Sequence, residues 1–208
     1  MTTSYKTPQE EFWAGEFGTE YIKRNTYEYL LPIYTYEWAK ITDKALTINS
    51  CIEFGANIGA NLKAIKTLFP KIELSAVEIN KKASEEYLSK FIEKDNLHNK
   101  SILDFKSDKK YDLTFTKGVL IHINPDELQT VYEKLYEYSN KYIVIAEYYN
   151  TTPVTVNYRG NQDRLFKRDF AGEFMDKYSD VKLIDYGFFY QRDNKYKDDD
   201  ITWFLMEK

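Results

Sequence analysis

The chain has 208 residues, of which 43% are hydrophobic and 30% charged, and its formal net charge at pH 7 is -4. A chain of this length can bury roughly two-thirds of its unfolded surface in one domain, and none of its apolar runs approaches the roughly 20 residues of a membrane span. The acidic balance excludes a protein that holds nucleic acid mainly by neutralising phosphates, and it favours a small-molecule substrate.

The residues that could form covalent or metal cross-links are few. A single cysteine, Cys51, excludes an internal disulfide. The sequence has no cluster of histidine, cysteine and carboxylate residues of the kind that binds a metal. Because residues 1–8 are polar, we expect no signal peptide and a cytoplasmic location.

The hydrophobic pattern divides the chain into an N-terminal helical segment, residues 1–44, and a core, residues 45–208, within one domain. Helices are predicted over residues 8–25 and 27–42, and aromatic residues along one side of the first helix form either core or a lid over a ligand. In the core, strands are predicted at residues 46–53, 72–79, 97–103, 111–116 and 142–147, and helices at 57–69, 81–91 and 125–138. This alternation predicts a parallel sheet with helices on both faces. Residues 181–191 and 201–206 are predicted to close it as an antiparallel hairpin.

A glycine-containing loop, residues 53–59, follows the first predicted strand. Gly55 permits a sharp turn, and Gly59 permits close packing where the next helix meets the sheet. The loop lacks the middle glycine of the dinucleotide pattern G-x-G-x-x-G. Glu53 would repel a pyrophosphate, but it could accept a hydrogen bond from an ammonium group. Glu78, at the end of the second strand, has the spacing of an acid that binds ribose hydroxyls; the alternative is a Rossmann-like domain that has lost its ligand.

Residues 53–59 resemble motif I of the class I S-adenosylmethionine-dependent methyltransferases, and Glu78 falls on the ribose-binding acid of that family. Residues 101–105 resemble its adenine-bordering segment, and residues 111–122 its fourth-strand motif. The resemblance implies a Rossmann-like fold with a mostly parallel seven-stranded sheet and S-adenosylmethionine as cofactor. Where many class I enzymes have an acid at the adenine edge, this chain has Ser101, so adenine recognition would rest there on backbone groups and a hydroxyl.

The resemblance also assigns cofactor contacts by position. The methionine end would be surrounded by Glu53, Gly55, Asn57 and Gly59. The ribose and adenine face would be contacted by Glu78 and Ile79, and the adenine edge by Ser101 and Ile102. Lys117 would line the floor, and the N-terminal helix would close over the cofactor with Trp13, Tyr21 and Arg24.

Three blocks, residues 9–18, 117–128 and 158–173, resemble methylases associated with pseudaminic acid biosynthesis in bacteria. That resemblance implies an acceptor that is a sugar or nucleotide sugar, with an anionic group that arginines could bind bidentately. The alternative for these arginines is an exposed, salt-bridged loop. The residues predicted to bind this acceptor follow the fifth strand: Glu147, Tyr148, Tyr149, Tyr158, Arg159, Arg164 and Arg168.

His122 is the candidate catalytic residue, because it follows the fourth strand at the sheet edge where open α/β folds bind ligands. It could remove a proton from a hydroxyl acceptor or orient the acceptor, or it could have a packing role only. Two other function classes stay open at this point: a nucleotide-sugar oxidoreductase or epimerase, and a non-catalytic partner subunit. The sequence does not determine the methylated atom or the oligomeric state.

Overall fold

The computed structural model describes residues 5–208, so the first four residues of the predicted N-terminal segment lie outside the described residues. The helices and strands follow one another along the chain in this order: α1 Pro8–Ala14, α2 Glu16–Ile22, α3 Tyr27–Ile41, β1 Ser50–Phe54, α4 Ala60–Leu68, β2 Glu73–Val77, α5 Lys81–Glu86, β3 Leu97–His98, β4 Tyr111–Lys117, α6 Leu128–Glu137, β5 Ser139–Glu147, β6 Val154–Tyr158, β7 Asn161–Lys167, α7 Phe170–Lys177, β8 Lys182–Phe189 and β9 Ile201–Glu207. No helix between residues 5 and 208 is both long enough and apolar enough to cross a membrane.

The main sheet has seven strands in the order β3-β2-β1-β4-β5-β9-β8. Strands β1 to β5 pair in parallel, whereas β9 runs antiparallel to both β5 and β8. The predicted seven-stranded, mostly parallel sheet with a C-terminal antiparallel hairpin is therefore confirmed. Because β1 to β4 are parallel, the loops that follow them meet at one edge of the sheet.

Both faces of the central strands are buried, which is why these strands read as almost continuous apolar runs. Cys51 of β1 and Val144 of β5 share one core cluster with Trp38 of α3. The neighbouring residues Ile52 and Ile143 belong to a second cluster, which also contains residues of α6 and α7. The alternation of β1 and β5 residues between the clusters follows the two-residue period of a strand.

The predicted helix over residues 8–25 is in fact two helices, α1 and α2, which meet at Gly15. Thr7 and Glu10 form a capping box at the start of α1, and Pro8 takes the first helical position. Gly15 ends α1 in an extended conformation and at the same time begins α2. A Cβ atom at Gly15 would lie 2.9 Å from the carbonyl oxygen of Glu11, so the chain turns there through a residue without a side chain.

Two further segments differ from the predictions. The predicted strand at residues 97–103 is a two-residue strand, β3, followed by a short 3-10 helix over Ile102–Asp104 that Ser101 caps. Residues 154–167, for which no strand was predicted, form an antiparallel hairpin of β6 and β7 outside the main sheet. Its turn is Arg159-Gly160, and both residues have positive φ, as a two-residue hairpin turn of type I′ requires.

Candidate functional site

One cavity of about 190 Å³ lies at the edge of the sheet where the parallel strands end, beneath α1, α2 and α3. Of the residues predicted to bind cofactor or to act in catalysis, the structure brings eleven into its wall: Trp13, Tyr21, Glu53, Gly55, Asn57, Glu78, Ile79, Ser101, Ile102, Lys117 and His122.

The glycine loop bends through three residues in the left-handed region, Gly55 (φ 82°), Asn57 (φ 49°) and Gly59 (φ 79°). A Cβ atom at Gly59 would lie 2.6 Å from side-chain atoms of both Leu88 and Phe91. Close packing at Gly59 is therefore present, but its partner is the segment after α5 rather than the sheet, and Gly59 itself does not line the cavity. Left-handed backbone is uncommon outside glycine, and at Asn57 it accompanies the turn that directs the backbone N–H to Glu78.

Glu53 ends β1 with a buried carboxyl group that is 1% exposed. Its Oε1 accepts a hydrogen bond of 2.7 Å from Asn61 Nδ2, and Asn61 Oδ1 in turn accepts from Trp38 Nε1 at 3.1 Å. Oε2 is buried and has no hydrogen-bond partner among the described residues. Burial raises the pKa of Glu53 well above its usual 4.5, and the bond from Asn61 only partly offsets this.

Glu78, at the end of β2, organises the loops on both sides of it. Oε2 accepts from the backbone N–H of Asn57 at 2.6 Å, and Oε1 from that of Asn80 at 2.6 Å. Each carboxylate oxygen keeps a further lone pair, so Glu78 can still accept hydrogen bonds from a ligand. Burial raises its pKa, whereas the backbone donors lower it.

Asn80 is a positioning residue that the sequence reasoning missed. Its Oδ1 accepts from the N–H of Ala83 and caps α5, while Nδ2 donates to the carbonyl oxygen of Trp13 at 3.1 Å and to the Thr19 hydroxyl at 3.2 Å. These bonds hold the N-terminal helices against the acid loop after β2. An asparagine at the start of a predicted helix was the available signal for the cap, but nothing local indicated the contact with Trp13.

Lys117 lines the cavity as predicted, but its ammonium group is already paired with two carboxylates. Nζ lies 2.6 Å from Asp198 Oδ2 and 3.1 Å from Glu37 Oε2, and 3.7 Å from the ring centre of Tyr34. Burial alone would lower the pKa of Lys117, but its interactions with Tyr34, Asp198 and Glu37 outweigh it and raise the pKa. Burial raises the pKa of Glu37 to about 8. Asp198 and Glu37 come from remote parts of the chain, and the sequence analysis identified neither.

His122 lies in a short 3-10 helix, Leu120–His122, just after β4. Its Nδ1 is 2.6 Å from the carbonyl oxygen of Arg164 in β7. Because a carbonyl oxygen can only accept, Nδ1 carries the proton, and Nε2 of the neutral ring is an acceptor. The imidazole packs against Trp13 and Tyr158, with ring centres 4.6 and 4.9 Å apart. Burial lowers the pKa of His122 to about 4, so the ring is neutral at physiological pH.

Glu147, predicted to bind substrate, instead supports the turn that carries His122. It is 2% exposed and lies outside the cavity wall. Its carboxylate accepts from the backbone N–H groups of Val119 and Leu120 at 3.1 Å and of Ile121 at 3.5 Å. Burial raises its pKa to about 7 even against these donors.

The three tyrosines predicted to bind substrate also lie outside the cavity wall. The Tyr148 hydroxyl donates to Asp199 at 2.6 Å, and Tyr149 is 42% exposed. Tyr158 packs on His122 and Trp13 and so lies behind the wall rather than in it. Tyr148 and Tyr158 thus contact neighbouring protein groups, whereas Tyr149 is exposed.

The predicted cations are likewise not gathered at the cavity. Arg168 pairs with Glu173 at 3.2 Å, and Arg164 donates to the carbonyl oxygen of Asp163 with its guanidinium 5.2 Å from the ring centre of Phe12. Arg159 is exposed at the hairpin turn beside Tyr158. Arg24, predicted to close over the cofactor, is exposed after α2 and lies outside the wall.

No family model matches the sequence, and no curated protein matches it. Several solved structures match the fold. A 1,6-didemethyltoxoflavin-N1-methyltransferase from Burkholderia thailandensis, with S-adenosylhomocysteine bound, has a TM-score of 0.68 at 9% identity, over 100% of this chain and 93% of that one. An S-adenosylmethionine-dependent methyltransferase from Clostridium acetobutylicum ATCC 824 has a TM-score of 0.62 at 13% identity, over 92% of this chain and 97% of that one.

A plantazolicin methyltransferase, BpumL, in complex with S-adenosylhomocysteine has a TM-score of 0.64 at 16% identity, over 96% of this chain and 93% of that one. The narrower resemblance to pseudaminic acid-associated methylases stays a prediction. Identities this low carry the architecture alone. On strand order, hairpin and overall superposition, the chain has the Rossmann-like fold of the class I S-adenosylmethionine-dependent methyltransferases.

Proposed function

We propose that the protein binds S-adenosylmethionine in this cavity and catalyses transfer of its methyl group to a small-molecule acceptor. One observation carries the proposal. Two buried carboxyl groups, Glu53 and Glu78, stand at the ends of the adjacent strands β1 and β2, on either side of the left-handed glycine loop, and both line the same cavity.

The chemistry of these two groups matches the two polar parts of the cofactor. Glu53 offers a buried oxygen without a partner, which an ammonium group would satisfy. Glu78 is held by two backbone donors with lone pairs to spare, so it can accept from both hydroxyls of a ribose. Glu53 at the start of the loop disfavours a pyrophosphate there, which argues for this cofactor over a nicotinamide dinucleotide.

The cofactor would supply a methyl group on an activated sulfonium, and the protein has to align the acceptor and manage its proton. Alignment of this kind contributes up to about 7–11 kcal/mol in favourable intramolecular reactions. Neutral His122 offers Nε2 to a hydroxyl or amine of the acceptor. With a pKa near 4 it is a weak base, so orienting the acceptor is its main contribution.

The acceptor class rests on the sequence resemblance, which favours a sugar or nucleotide sugar with an anionic group. Arg159 supports this choice, since it forms no ion pair within residues 5–208 and its guanidinium lies 5.6 Å from the ring of Tyr158, which packs on His122. Solved structures of this fold are named as methyltransferases of plantazolicin and of 1,6-didemethyltoxoflavin, so the fold alone does not select an acceptor.

Calorimetric titration with S-adenosylmethionine, S-adenosylhomocysteine and NAD tests the proposal. We expect the first two to bind and NAD not to bind. Glu78→Ala should weaken binding by about 1.5–3 kcal/mol, since a charged acceptor is lost. Glu73→Ala is the matched control, because Glu73 begins the same strand, is exposed, and lies outside the cavity wall.

The methylation itself is tested by following S-adenosylhomocysteine release over a panel of sugars, nucleotide sugars and small amines. Preferential binding of NAD, or cofactor binding that Glu78→Ala leaves unchanged in a folded protein, would refute the proposal. Turnover confined to acceptors without an anionic group would refute the sugar assignment alone.

A further inference from the structure

We propose that Gln9, on α1, recognises the 6-amino group of the cofactor's adenine ring. The inference rests on the proposed function, because it requires that the cavity bind S-adenosylmethionine or S-adenosylhomocysteine. It places adenine recognition on the N-terminal helix rather than on the segment after β3, where the sequence resemblance puts it.

Gln9 is buried, with 7% of its surface exposed, and it lines the cavity. Its Nε2 donates a hydrogen bond of 3.0 Å to the carbonyl oxygen of Asp163 in β7. Because that carbonyl oxygen can only accept, the orientation of the Gln9 amide is fixed. Oε1 is then a buried acceptor without a partner among the described residues, and burying such an atom is costly unless a ligand supplies a donor.

The path of α1 places Gln9 at the adenine end of the cavity. Just before the helix, Lys6 forms an ion pair of 2.6 Å with Asp104, in the 3-10 turn that follows Ser101. At the other end of α1, the carbonyl oxygen of Trp13 accepts from Asn80, beside the ribose-binding candidate Glu78. The helix therefore runs from the adenine edge to the ribose edge, and Gln9 lies nearer the start.

Two other acceptors near the start of α1 each accept a hydrogen bond from the protein. The Ser101 hydroxyl accepts from the N–H of Leu103 at 3.1 Å, as the cap of the 3-10 turn. Glu10 Oε2 accepts from the N–H of Thr7 at 2.9 Å within the capping box. The Ser101 hydroxyl and Glu10 Oε2 thus already have a protein donor, whereas Gln9 Oε1 has none among the described residues.

The amide group also suits adenine chemically. The 6-amino group donates two hydrogen bonds, and ring atom N7 accepts one. Gln9 offers Oε1 as acceptor, and Nε2 keeps a second N–H after its bond to Asp163. An amide that presents one acceptor and one donor side by side is the arrangement with which glutamine and asparagine read this edge of adenine.

The test compares two probes, S-adenosylhomocysteine and its 6-deamino analogue with purine in place of adenine, by calorimetry on the full chain. Wild type should bind S-adenosylhomocysteine about tenfold more tightly or better, because the analogue leaves Gln9 Oε1 unpaired. In Gln9→Met the two affinities should agree within about threefold. If Gln9 had only a structural role, its substitution would weaken the binding of both probes equally and leave the ratio of the two affinities unchanged. Gln9→Ala provides a second variant if Gln9→Met fails to fold.

Two control variants remove other possible acceptors in the cavity wall, Ser101→Ala and Glu127→Ala, and both should keep the wild-type ratio. The inference is overturned if a Gln9 variant keeps the tenfold preference, or if either control abolishes it. Wild-type protein that binds neither probe would overturn the proposed function and this inference with it. Tight S-adenosylhomocysteine binding with an unchanged ratio in the Gln9 variants would overturn this inference alone.

Discussion

Binding of S-adenosylmethionine should release a proton from the protein, and Glu53 should be its source. In the free protein the Glu53 carboxyl is 1% exposed and one of its oxygens has no partner, so burial holds its pKa well above 4.5 and favours the protonated form. An ammonium group that binds Glu53 favours the ionised form instead. The proton must then leave as the cofactor binds.

The size of the effect follows from linkage. An opposite charge within hydrogen-bonding reach lowers a carboxyl pKa by about 1–3 units. Between the pKa of Glu53 in the complex and its raised pKa in the free protein, at most about one proton is released per cofactor bound. In that window the association constant should rise up to about tenfold per pH unit, and it should fall as the pH falls.

Calorimetry in two buffers of different ionisation enthalpy measures the number of protons released. Glu53→Gln should reduce this number to about zero and weaken binding by about 1.5–3 kcal/mol. Glu147→Gln is the matched control, because Glu147 is also a buried carboxyl of raised pKa but lies outside the cavity wall. Equal binding enthalpies in the two buffers for wild type, or proton release that persists in Glu53→Gln, would refute the reasoning.

Three further predictions concern the loop, the turn and the histidine. Gly59→Ala should lower the free energy of unfolding, measured in urea, by about 2–4 kcal/mol, because the new side chain overlaps its neighbours and the left-handed backbone is strained. Gly160→Ala is the control, since Gly160 has φ 83° and no atom within 4 Å of the added Cβ, and it should cost only about 1 kcal/mol. Equal losses in the two variants would contradict the packing argument. The pKa of Glu147 is raised to about 7 from 4.5, so the folded state gains stability that is present below pH 4.5 and is lost as the pH rises through 7. The free energy of unfolding of Glu147→Gln should therefore rise by up to about 3 kcal/mol relative to that of wild type between acidic and mildly alkaline pH. A difference between the two proteins that does not change with pH in denaturant titrations would count against this prediction. His122→Ala should lower kcat about a hundredfold, because the group that orients the acceptor is lost, and it should remove an acidic limb of kcat/KM near pH 4. A limb near pH 6.5 that the substitution removes would show that the imidazole is not buried as described.

The sheet and the part of the cavity wall that contains Glu53 and Glu78 were predictable because their signals are local. Strands buried on both faces give short apolar runs, and the glycine loop with Glu53 lies within seven residues of sequence. Glu78 could be placed because the distance between consecutive strand ends in a βαβ unit varies little.

The rest of the candidate site depends on contacts between residues that are far apart in the chain, and such contacts leave no local pattern in the sequence. Nothing near Lys117 indicates that Glu37 and Asp198 would neutralise it. The concentration of arginines suggested an anion site, but Arg168 is paired with Glu173, only five residues further along the chain. The hairpin does have a local signal, because Arg159-Gly160 is a two-residue turn between two short strands.

The hairpin of β6 and β7 accepts hydrogen bonds from two side chains of the site through main-chain atoms. Consecutive carbonyl oxygens, those of Asp163 and Arg164, bind Gln9 and His122 respectively. Any residue other than one that distorts the backbone supplies the same carbonyl oxygen. A substitution at Asp163 or Arg164 that keeps the backbone in place therefore keeps the hydrogen bonds to Gln9 of α1 and to His122.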